Sequence, residues 1–243
     1  MKQGIFKLIN QEKIAKDIFR MVLAGDTSAI TATGQFVNLL LDGKYLRRPI
    51  SVCDWEEKTL TLIYKVVGAG TEQMSRMQAG EELDILSGLG NGYNTSKSGE
   101  KPVLIGGGVG VPPLYALCKK LISEGKKPQV VLGFNTAEEV FLAKEFEQLG
   151  ADVTVATADG SMGVKGFVTT AMEQMDYDYF FTCGPEPMFR AIEKIAKTSG
   201  QYSFEERMGC GFGACMGCSC KTKYGNKRIC KEGPVMEREE IIW

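Results

Sequence analysis

The chain has 243 residues, 44% hydrophobic content and a formal net charge of −1. This length suggests two compact domains, and the balanced charge excludes the basic footprint of a nucleic-acid-binding protein. No apolar run approaches the ~18 residues that a membrane span requires, and the N-terminus lacks the apolar core of a signal peptide. We therefore expect a cytoplasmic protein, which binds neither nucleic acid nor membrane and whose thiols are reduced or metal-bound. Histidine is absent, which removes the commonest acid–base group and indicates that cofactors supply the chemistry.

The N-terminal part of the sequence is rich in predicted strands. Turn residues such as Asp42-Gly43 and Ala79-Gly80 separate them, a pattern typical of an antiparallel barrel or sandwich. The candidate strands are residues 4–10, 18–23, 35–41, 50–53, 59–67 and 82–86. A segment rich in Asn, Ser, Gly and Thr at 91–101 is the predicted linker, and we assign residues 1–97 to a first domain.

Strands and helices alternate in the following region, residues 98–202. This alternation predicts a doubly wound parallel sheet. The predicted strands are 103–105, 129–134, 152–156 and 179–183, and the predicted helices are 114–123, 138–149, 166–175 and 187–198. The remaining segment, residues 203–243, is the predicted cluster-binding segment, and its 34 residues from Cys210 to Trp243 are too few to fold without a metal.

A glycine loop separates the first strand of this second domain from its helix. Gly106, Gly108 and Gly110 form the loop, and Pro112 replaces the third glycine of the Rossmann fingerprint. Proline is tolerated in a first helical turn, and backbone amides in front of a helix suit a pyrophosphate. A turn that serves only tight packing is the alternative.

Two further loops would share the same edge of the sheet, where doubly wound folds bind their ligands. One spans residues 157–161, and the other begins at Cys183 and Gly184. The segment after the second strand contains Glu138 and Glu139 and no basic residue. Because two acids repel a 2′-phosphate, the sequence favours NAD over NADP.

A basic motif, Arg47-Arg48-Pro49-Ile50-Ser51, stands in the β-rich domain. Arginine can bind a cofactor phosphate through two parallel hydrogen bonds, and a nearby serine can donate to a ring nitrogen. From the residues alone, a solvated strand end explains the motif equally well, so its role stays open at this point.

Four cysteines near the C-terminus have the spacing C-x4-C-x2-C followed by a distant fourth cysteine, which is the plant-type pattern for a [2Fe-2S] cluster. They are Cys210, Cys215, Cys218 and Cys230. A structural zinc site, the alternative, usually pairs two short C-x2–4-C motifs. Cys220 points away from Cys218 if the segment is extended, and Cys118 is expected to pack as a small apolar residue.

These motifs together resemble a known family. The run from Arg48 to Ser51 resembles the flavin motif of ferredoxin-reductase-type enzymes, and Gly106–Pro113 with Cys183–Pro185 resembles their nucleotide loops. The stretches 205–218 and 229–235 closely resemble the electron-transfer subunit of class 1B dihydroorotate dehydrogenases. The likeness covers essentially the whole chain.

The resemblance implies three cofactors and their binding residues. It implies FAD at Arg48, Pro49, Ile50, Ser51, Tyr64, Lys65, Gly70 and Thr71; NAD at Gly106, Gly108, Gly110, Cys183 and Gly184; and a [2Fe-2S] cluster at Cys210, Cys215, Cys218 and Cys230. It also implies an FMN-containing catalytic subunit, in a heterotetramer with two copies of each chain. Electrons from dihydroorotate would pass through the cluster and FAD to NAD⁺ in pyrimidine (UMP) biosynthesis, and this chain would have no dihydroorotate site and no catalytic side chain of its own.

Two alternatives stay open. One is the small subunit of another NAD(P)H-linked enzyme, such as an NADH-dependent ferredoxin:NADP oxidoreductase, although the four-cysteine set favours the dihydroorotate assignment. The other is a non-enzymatic regulatory module with a structural metal. Phe212 and Met216 lie between the cysteines and are candidates either for shielding the cluster or for local packing.

Overall fold

The computed structural model describes all residues, 1–243. The N-terminal part is a closed barrel with the strand order β1-β2-β5-β4-β3-β6, in which every neighbouring pair is antiparallel. The predicted antiparallel architecture is therefore confirmed as a barrel rather than a sandwich. Its strands are β1 (Lys2–Ala15), β2 (Ile18–Ala24), β3 (Phe36–Leu40), β4 (Arg48–Glu56), β5 (Thr59–Lys65) and β6 (Glu82–Leu89).

Strand β5 illustrates how the barrel presents its two faces. Leu60, Leu62 and Tyr64 belong to the apolar interior of the barrel, whereas Ile63 belongs to the apolar cluster shared with the second domain. This follows from the two-residue alternation of side chains along a strand. A short helix, α1 (Ala69–Ser75), follows β5 and was not predicted, because Gly70 lowers helix propensity.

The second domain is a seven-stranded sheet with the order β10-β9-β8-β7-β11-β12-β15. All its neighbouring strands are parallel except β12 and β15, which confirms the doubly wound prediction. Strands within residues 102–203 are β7 (Pro102–Gly107), β8 (Gln129–Phe134), β9 (Asp152–Thr157), β10 (Val164–Lys165), β11 (Tyr179–Cys183) and β12 (Gly200–Ser203). Their helices are α2 (Pro113–Ser123), α3 (Ala143–Gln148), α4 (Val168–Met172) and α5 (Glu186–Ile195).

Helix α3 begins later than predicted. The prediction placed its start at residue 138, but Ala137–Glu139 form a separate 3-10 turn. Leu142 then adopts a left-handed conformation with φ 63° before the helix begins. This break leaves Glu139 free to face the carboxyl edge of the sheet, where it lines a cavity.

The C-terminal segment is attached to the second domain by a strand. It forms a hairpin of β13 (Ser219–Thr222) and β14 (Gly225–Arg228), and then β15 (Val235–Glu237) adds to β12 in antiparallel register. The side chain of Asn91 fixes the same segment, since its Nδ2 donates to the carbonyl oxygens of Glu232 and Val235 at 3.0 and 2.7 Å. The cysteine-containing loop is therefore held against both domains.

The sheet order places the switch point of the fold between β7 and β11. The chain runs from β7 towards β8 and then returns to β11 on the other side, so the loops after these two strands flank one crevice. Cys118 on α2 is fully buried, as predicted. None of the helices has the length and apolar character needed to cross a bilayer.

Candidate functional site

A cavity of about 520 Å³ opens at the carboxyl edge of the sheet. The loops after β7, β8 and β11 line it, together with the start of α4. The barrel closes it from the other side through Ile18 and Lys65. Its position at the switch point is the usual place for a dinucleotide in a doubly wound sheet.

Glycines let the β7 and β11 loops approach each other at this cavity. A Cβ at Gly110 would lie only 2.2 Å from the carbonyl oxygen of Cys183, a backbone atom that cannot move aside. Gly108 has φ +52° with open space around it. The structure therefore brings the predicted glycine loop and the Cys183-Gly184 turn together as one backbone cradle.

Cys183 contributes its backbone to this cradle, since its side chain is only 1% exposed. Burial raises the pKa of its thiol, and the charge of Glu205 raises it further. The thiol is thus a buried neutral group. The Glu205 side chain lines the cavity and is exposed to solvent, and desolvation by the surrounding protein atoms raises the pKa of its carboxyl.

A carboxylate also stands at the other end of the cavity. Glu139 Oε2 accepts hydrogen bonds from the backbone N–H and the Nδ2 of Asn135 at 3.1 and 2.9 Å, and its Oε1 lies 3.5 Å from Lys65 Nζ. Burial alone would raise the pKa of Glu139, but the Asn135 hydrogen bonds and the Lys65 charge lower it. Glu139 is therefore ionised at neutral pH, and Lys65 faces the nucleotide cavity.

The basic motif lies at the start of strand β4, and its two arginines differ in the partners of their side chains. Arg47 Nη1 lies 3.0 Å from Asp84 Oδ1, whereas the side chain of Arg48 donates only to the carbonyl of Leu46. Gly70, at the start of α1, packs so closely on Arg48 that a Cβ there would lie 2.2 Å from its Nε. The structure thus brings Arg48 and the α1 turn together and leaves the Arg48 charge available for a phosphate.

Two of the predicted flavin residues have side chains that are already engaged. Tyr64 is 2% exposed, and its hydroxyl donates to Gln11 Oε1 at 3.0 Å inside the barrel. Thr71 Oγ1 accepts hydrogen bonds from the backbone N–H of Val67 at 2.9 Å and of Gly68 at 3.3 Å. The Tyr64 side chain is therefore not free for a cofactor, and Thr71 shapes the turn before α1.

The register of β3 against β4 shows what lies beside the flavin motif. Pro49 pairs with Asn38, and Ser51 pairs with Phe36. Directly opposed residues share one face of a sheet, so Asn38 and Phe36 stand on the same face as Pro49 and Ser51. Phe36 packs in the apolar cluster that contains Cys218 and Cys230, which places the flavin motif next to the cysteine segment.

The four predicted ligand cysteines come together as two pairs. The backbone N–H of Cys215 donates to Cys210 Sγ, and the backbone N–H of Cys230 donates to Cys218 Sγ, both with N to S distances of 3.4 Å. No three cysteine, aspartate or glutamate side chains converge to hold a single metal ion. Two pairs suit a two-iron cluster, with two thiolates for each iron, better than a single zinc ion.

The loop around Cys210 stabilises the charged form of this thiol, whereas burial raises the pKa of Cys230 to about 12. Backbone N–H groups of Ala214 and Cys215 donate to Cys210 Sγ, with N to S distances of 3.2 and 3.4 Å. Burial would raise the pKa of Cys210, but these N–H groups outweigh it and lower the pKa to about 6. A Cβ at Gly209 or Gly217 would lie 3.3 or 3.5 Å from Cys215 Sγ. The donor set and the glycine cradle both fit an iron-sulfur cluster.

Sequence reasoning missed two polar side chains that hold this loop. Arg228 Nη1 donates to the carbonyl of Gly213 at 2.6 Å, and Asn38 Nδ2 donates to the carbonyl of Cys210 at 3.2 Å. Neither residue belongs to a sequence motif, and Asn38 comes from the distant barrel. Only the folded structure could identify them.

The two apolar residues between the cysteines lie at the surface. Phe212 is 45% exposed and Met216 is 54% exposed. They therefore do not pack into the interior of this chain. Cys215 is also exposed, so the cluster loop presents an apolar rim on the outside of the molecule.

Comparisons with known proteins match the chain over its full length. Residues 205–242 match the iron-sulfur cluster binding domain of dihydroorotate dehydrogenase B, and residues 104–194 match the oxidoreductase NAD-binding domain. The dihydroorotate dehydrogenase B (NAD(+)) electron transfer subunit of Geobacillus sp. (strain WCH70) is 40% identical, with coverage of 100% of this chain and 99% of the relative. The corresponding subunit of Shouchella clausii (strain KSM-K16) is 40% identical, with coverage of 99% and 98%.

A solved structure of an NADH-dependent reduced ferredoxin-NADP oxidoreductase is also similar. Its TM-score is 0.90 at 29% identity, and the match covers 99% of this chain and 90% of that chain. The fold of the whole molecule, including the C-terminal segment, is therefore shared with an oxidoreductase that resembles the alternative from the sequence.

Proposed function

We infer the function of this chain from one premise, that it belongs to the family of dihydroorotate dehydrogenase B (NAD(+)) electron transfer subunits. It accepts electrons from a catalytic subunit, which oxidises dihydroorotate, and passes them to NAD⁺. It therefore serves pyrimidine biosynthesis. The observation that supports this function most strongly is the arrangement of four cysteines in two backbone-linked pairs beside the barrel strand that pairs with the flavin motif, in a chain that matches these subunits from end to end.

We assign three cofactors to three parts of the chain. FAD belongs to residues 1–97, NAD to residues 98–202 and the [2Fe-2S] cluster to residues 203–243. When bound, the flavin exchanges a hydride with nicotinamide and single electrons with the cluster, so it connects two-electron with one-electron chemistry. The chain supplies binding, orientation and exclusion of water around these groups, and needs no catalytic side chain.

The residues of the nucleotide cavity have separate tasks in this assignment. The Gly106–Gly110 backbone and the Gly184 turn bind the pyrophosphate. Glu139, with its lowered pKa, keeps a negative charge near the position of the adenosine ribose. Because this charge repels a 2′-phosphate, we assign NAD rather than NADP to the site.

The residues of the flavin site act through charge and shape. Arg48 binds a phosphate of FAD, since no carboxylate neutralises it, and Gly70 lets α1 approach that phosphate closely. Pro49 and Ser51 line the face on which the ring lies, and Ile50 between them packs against the barrel interior and supports this face from below. Tyr64 contributes its backbone only.

The partner is a catalytic subunit that carries FMN, in a heterotetramer with two copies of each chain. The exposed rim of Phe212 and Met216 beside Cys215 supports docking at the cluster loop, because electron transfer requires short distances between cofactors. We place the complex in the cytoplasm, since all eight cysteines are free of disulfides and such thiols persist in reducing compartments.

The alternative function is that of the reduced ferredoxin-NADP oxidoreductase with the similar fold. Its 29% identity is lower than the 40% identity to the dihydroorotate dehydrogenase subunits. Glu138 and Glu139 also disfavour NADP. The dihydroorotate assignment is therefore the better supported of the two.

The test has two stages. First, NADH is added to the anaerobically purified chain while flavin absorbance and the EPR spectrum are followed; we expect a bleached flavin and the signal of a reduced [2Fe-2S] cluster. Second, the chain is combined with its co-purifying FMN subunit and assayed for dihydroorotate-dependent NAD⁺ reduction. Relay activity in the first stage without dihydroorotate oxidation in the second would contradict the assignment and favour the alternative.

A further inference from the structure

Asn38 has a polar side chain that is buried in the protein interior. It lies on strand β3 of the barrel with 1% of its surface exposed. Its Nδ2 donates to the carbonyl of Cys210 at 3.2 Å, across 172 positions of sequence. This hydrogen bond joins the barrel directly to the residue that opens the cysteine loop.

The contact between Asn38 and the loop is tight as well as polar. A Cβ at Gly211 would lie 2.2 Å from Asn38 Nδ2 and 3.2 Å from its Cγ. Gly211 also has φ +76°, a conformation that side chains rarely adopt. The backbone of the loop therefore lies flat on the side-chain amide, so Asn38 fixes both its position and its orientation.

Asn38 holds the flavin strand from the other side. It is the direct cross-strand partner of Pro49, and its own carbonyl accepts a hydrogen bond from Arg47 Nη1 at 3.3 Å. One residue thus connects the Arg48–Ser51 motif with Cys210.

The orientation of the amide is determined by its surroundings. If the amide were flipped, Asn38 Oδ1 would face the Cys210 carbonyl, and two acceptors would repel each other. In the observed orientation Oδ1 is buried and has no hydrogen-bond partner. A buried acceptor without a partner lowers stability, so packing alone does not explain an asparagine at this position.

We propose that Asn38 is a positioning residue, which sets the distance and orientation between the flavin site and the cluster loop through its hydrogen bond to Cys210. The proposal rests on the proposed function, because it assigns FAD and the cluster to these two elements. Electron transfer depends steeply on separation, so a loop released from Asn38 transfers electrons more slowly even when both cofactors remain bound.

The test compares three variants of the full chain with its cofactors. N38D keeps the shape but loses the donor, and N38L loses all polar contact. N226D introduces the same charge at an exposed position of the β14 hairpin and is the control. Flavin content, iron content and the rate of flavin bleaching by NADH should match wild type in N226D, and they are measured in N38D and N38L so that the later step is compared only among molecules that carry both cofactors and a reduced flavin.

The expected difference lies in the rate of the next step, electron transfer from the reduced flavin to the cluster. Cluster reduction after flavin bleaching, followed by rapid-freeze EPR, should slow by about tenfold in N38D and N38L, as small misplacements commonly do, and remain unchanged in N226D. Lowering the pH should bring the rate of cluster reduction in N38D back towards that of wild type, because the protonated carboxyl can again donate a hydrogen bond to the Cys210 carbonyl. The rate in N38L should not recover. Rates within twofold of wild type in both variants would overturn the proposal.

Hydrogen–deuterium exchange gives a readout that does not depend on activity. Peptides covering residues 205–217 should exchange faster in N38D and N38L than in wild type, and the β7 and β8 peptides should not change. If a variant fails to retain iron, it is compared with chelator-treated wild type, and equal protection of 205–217 then contradicts the proposal. Wild type that shows no NADH-dependent cluster reduction would refute the proposed function instead, while the exchange data would still decide the role of Asn38.

Discussion

The Sγ of Cys220 lies 3.8 Å from the Sδ of Met236 on strand β15. Cys220 thus turns towards the apolar cluster beneath the hairpin, although it is only two residues from Cys218. Burial raises the pKa of its thiol. Because its sulfur contacts Met236, we interpret Cys220 as a packing residue rather than a cluster ligand.

This arrangement predicts opposite outcomes for two serine substitutions. Cys215→Ser removes one thiolate of the Cys210–Cys215 pair, and we expect loss of the cluster. Cys220→Ser should keep the cluster at wild-type stoichiometry and lower stability slightly. Iron analysis and EPR of the reduced proteins check both outcomes. Loss of iron from Cys220→Ser, with iron retained in Cys215→Ser, would reverse our choice of ligands.

Gly110→Ala should damage the nucleotide cradle. The new methyl group would lie 2.2 Å from the carbonyl oxygen of Cys183, and the two loops must separate to admit it. Such overpacking costs about 1–3 kcal/mol of stability, and we expect roughly tenfold weaker NADH binding, because the backbone donors move out of position. Isothermal titration of the flavin-loaded protein measures the affinity.

Gly4→Ala is the matched control for this substitution. Its Cβ would meet only the Phe6 ring at 3.7 Å, an ordinary van der Waals contact, so neither affinity nor melting temperature should fall. Equal NADH affinity in Gly110→Ala and Gly4→Ala would show that the β7 and β11 loops do not bind the nucleotide.

The sequence correctly predicts those strands of the second domain whose own residues carry the strand pattern. Strands β8 and β11 span the predicted residues, 129–134 and 179–183, because each is an apolar run between turns. Strands β12 and β15 were missed because they have four and three residues, and pairing between distant segments stabilises them. Such tertiary pairing leaves no local pattern in the sequence.

The residues of the candidate site also fall into two groups, those that the sequence identifies and those that only the folded structure brings together. The cysteine spacing predicts four ligands, and the structure places Cys215 beside Cys210 and Cys230 beside Cys218. The position of Tyr64 was also readable, because it alternates in phase with the apolar Leu60 and Leu62 and therefore points into the barrel. The contact between Asn38 and Cys210 was not readable, since it depends on how the two domains pack.

Glu138→Lys should shift the cofactor preference towards NADPH. Glu138 has a side chain that is 75% exposed, so its replacement leaves the core intact. Reversing one surface charge near a phosphate changes the interaction by about 1–2 kcal/mol, which corresponds to roughly tenfold in kcat/KM for NADPH-dependent flavin reduction. Stopped-flow flavin reduction with each nucleotide measures the change.

The control for this charge reversal is Glu147→Lys on helix α3. Glu147 is exposed and lies at the C-terminal end of α3, whereas Glu138 lies in the turn directly after β8, next to the cavity residue Glu139, so with Glu147→Lys both nucleotides should react as with wild type. If Glu147→Lys improves NADPH use as much as Glu138→Lys does, the effect is one of net charge and the ribose does not lie near Glu138.

Glu205→Gln should stabilise the protein in a pH-dependent manner. Although Glu205 is exposed at the cavity, desolvation by the surrounding protein atoms raises its pKa in the folded state, so the folded protein binds the proton more tightly than the unfolded chain does. Ionisation of Glu205 therefore lowers stability as the pH rises through the window between the unfolded value, ordinarily about 4.3, and the higher folded value. The neutral amide avoids this loss, so the melting temperature of Glu205→Gln should exceed that of wild type at pH 8, and the difference should shrink at pH 5. Glu206→Gln removes the same charge from a neighbour outside the cavity and should give no comparable gain; a gain for Glu205→Gln that is equal at both pH values would contradict the raised pKa.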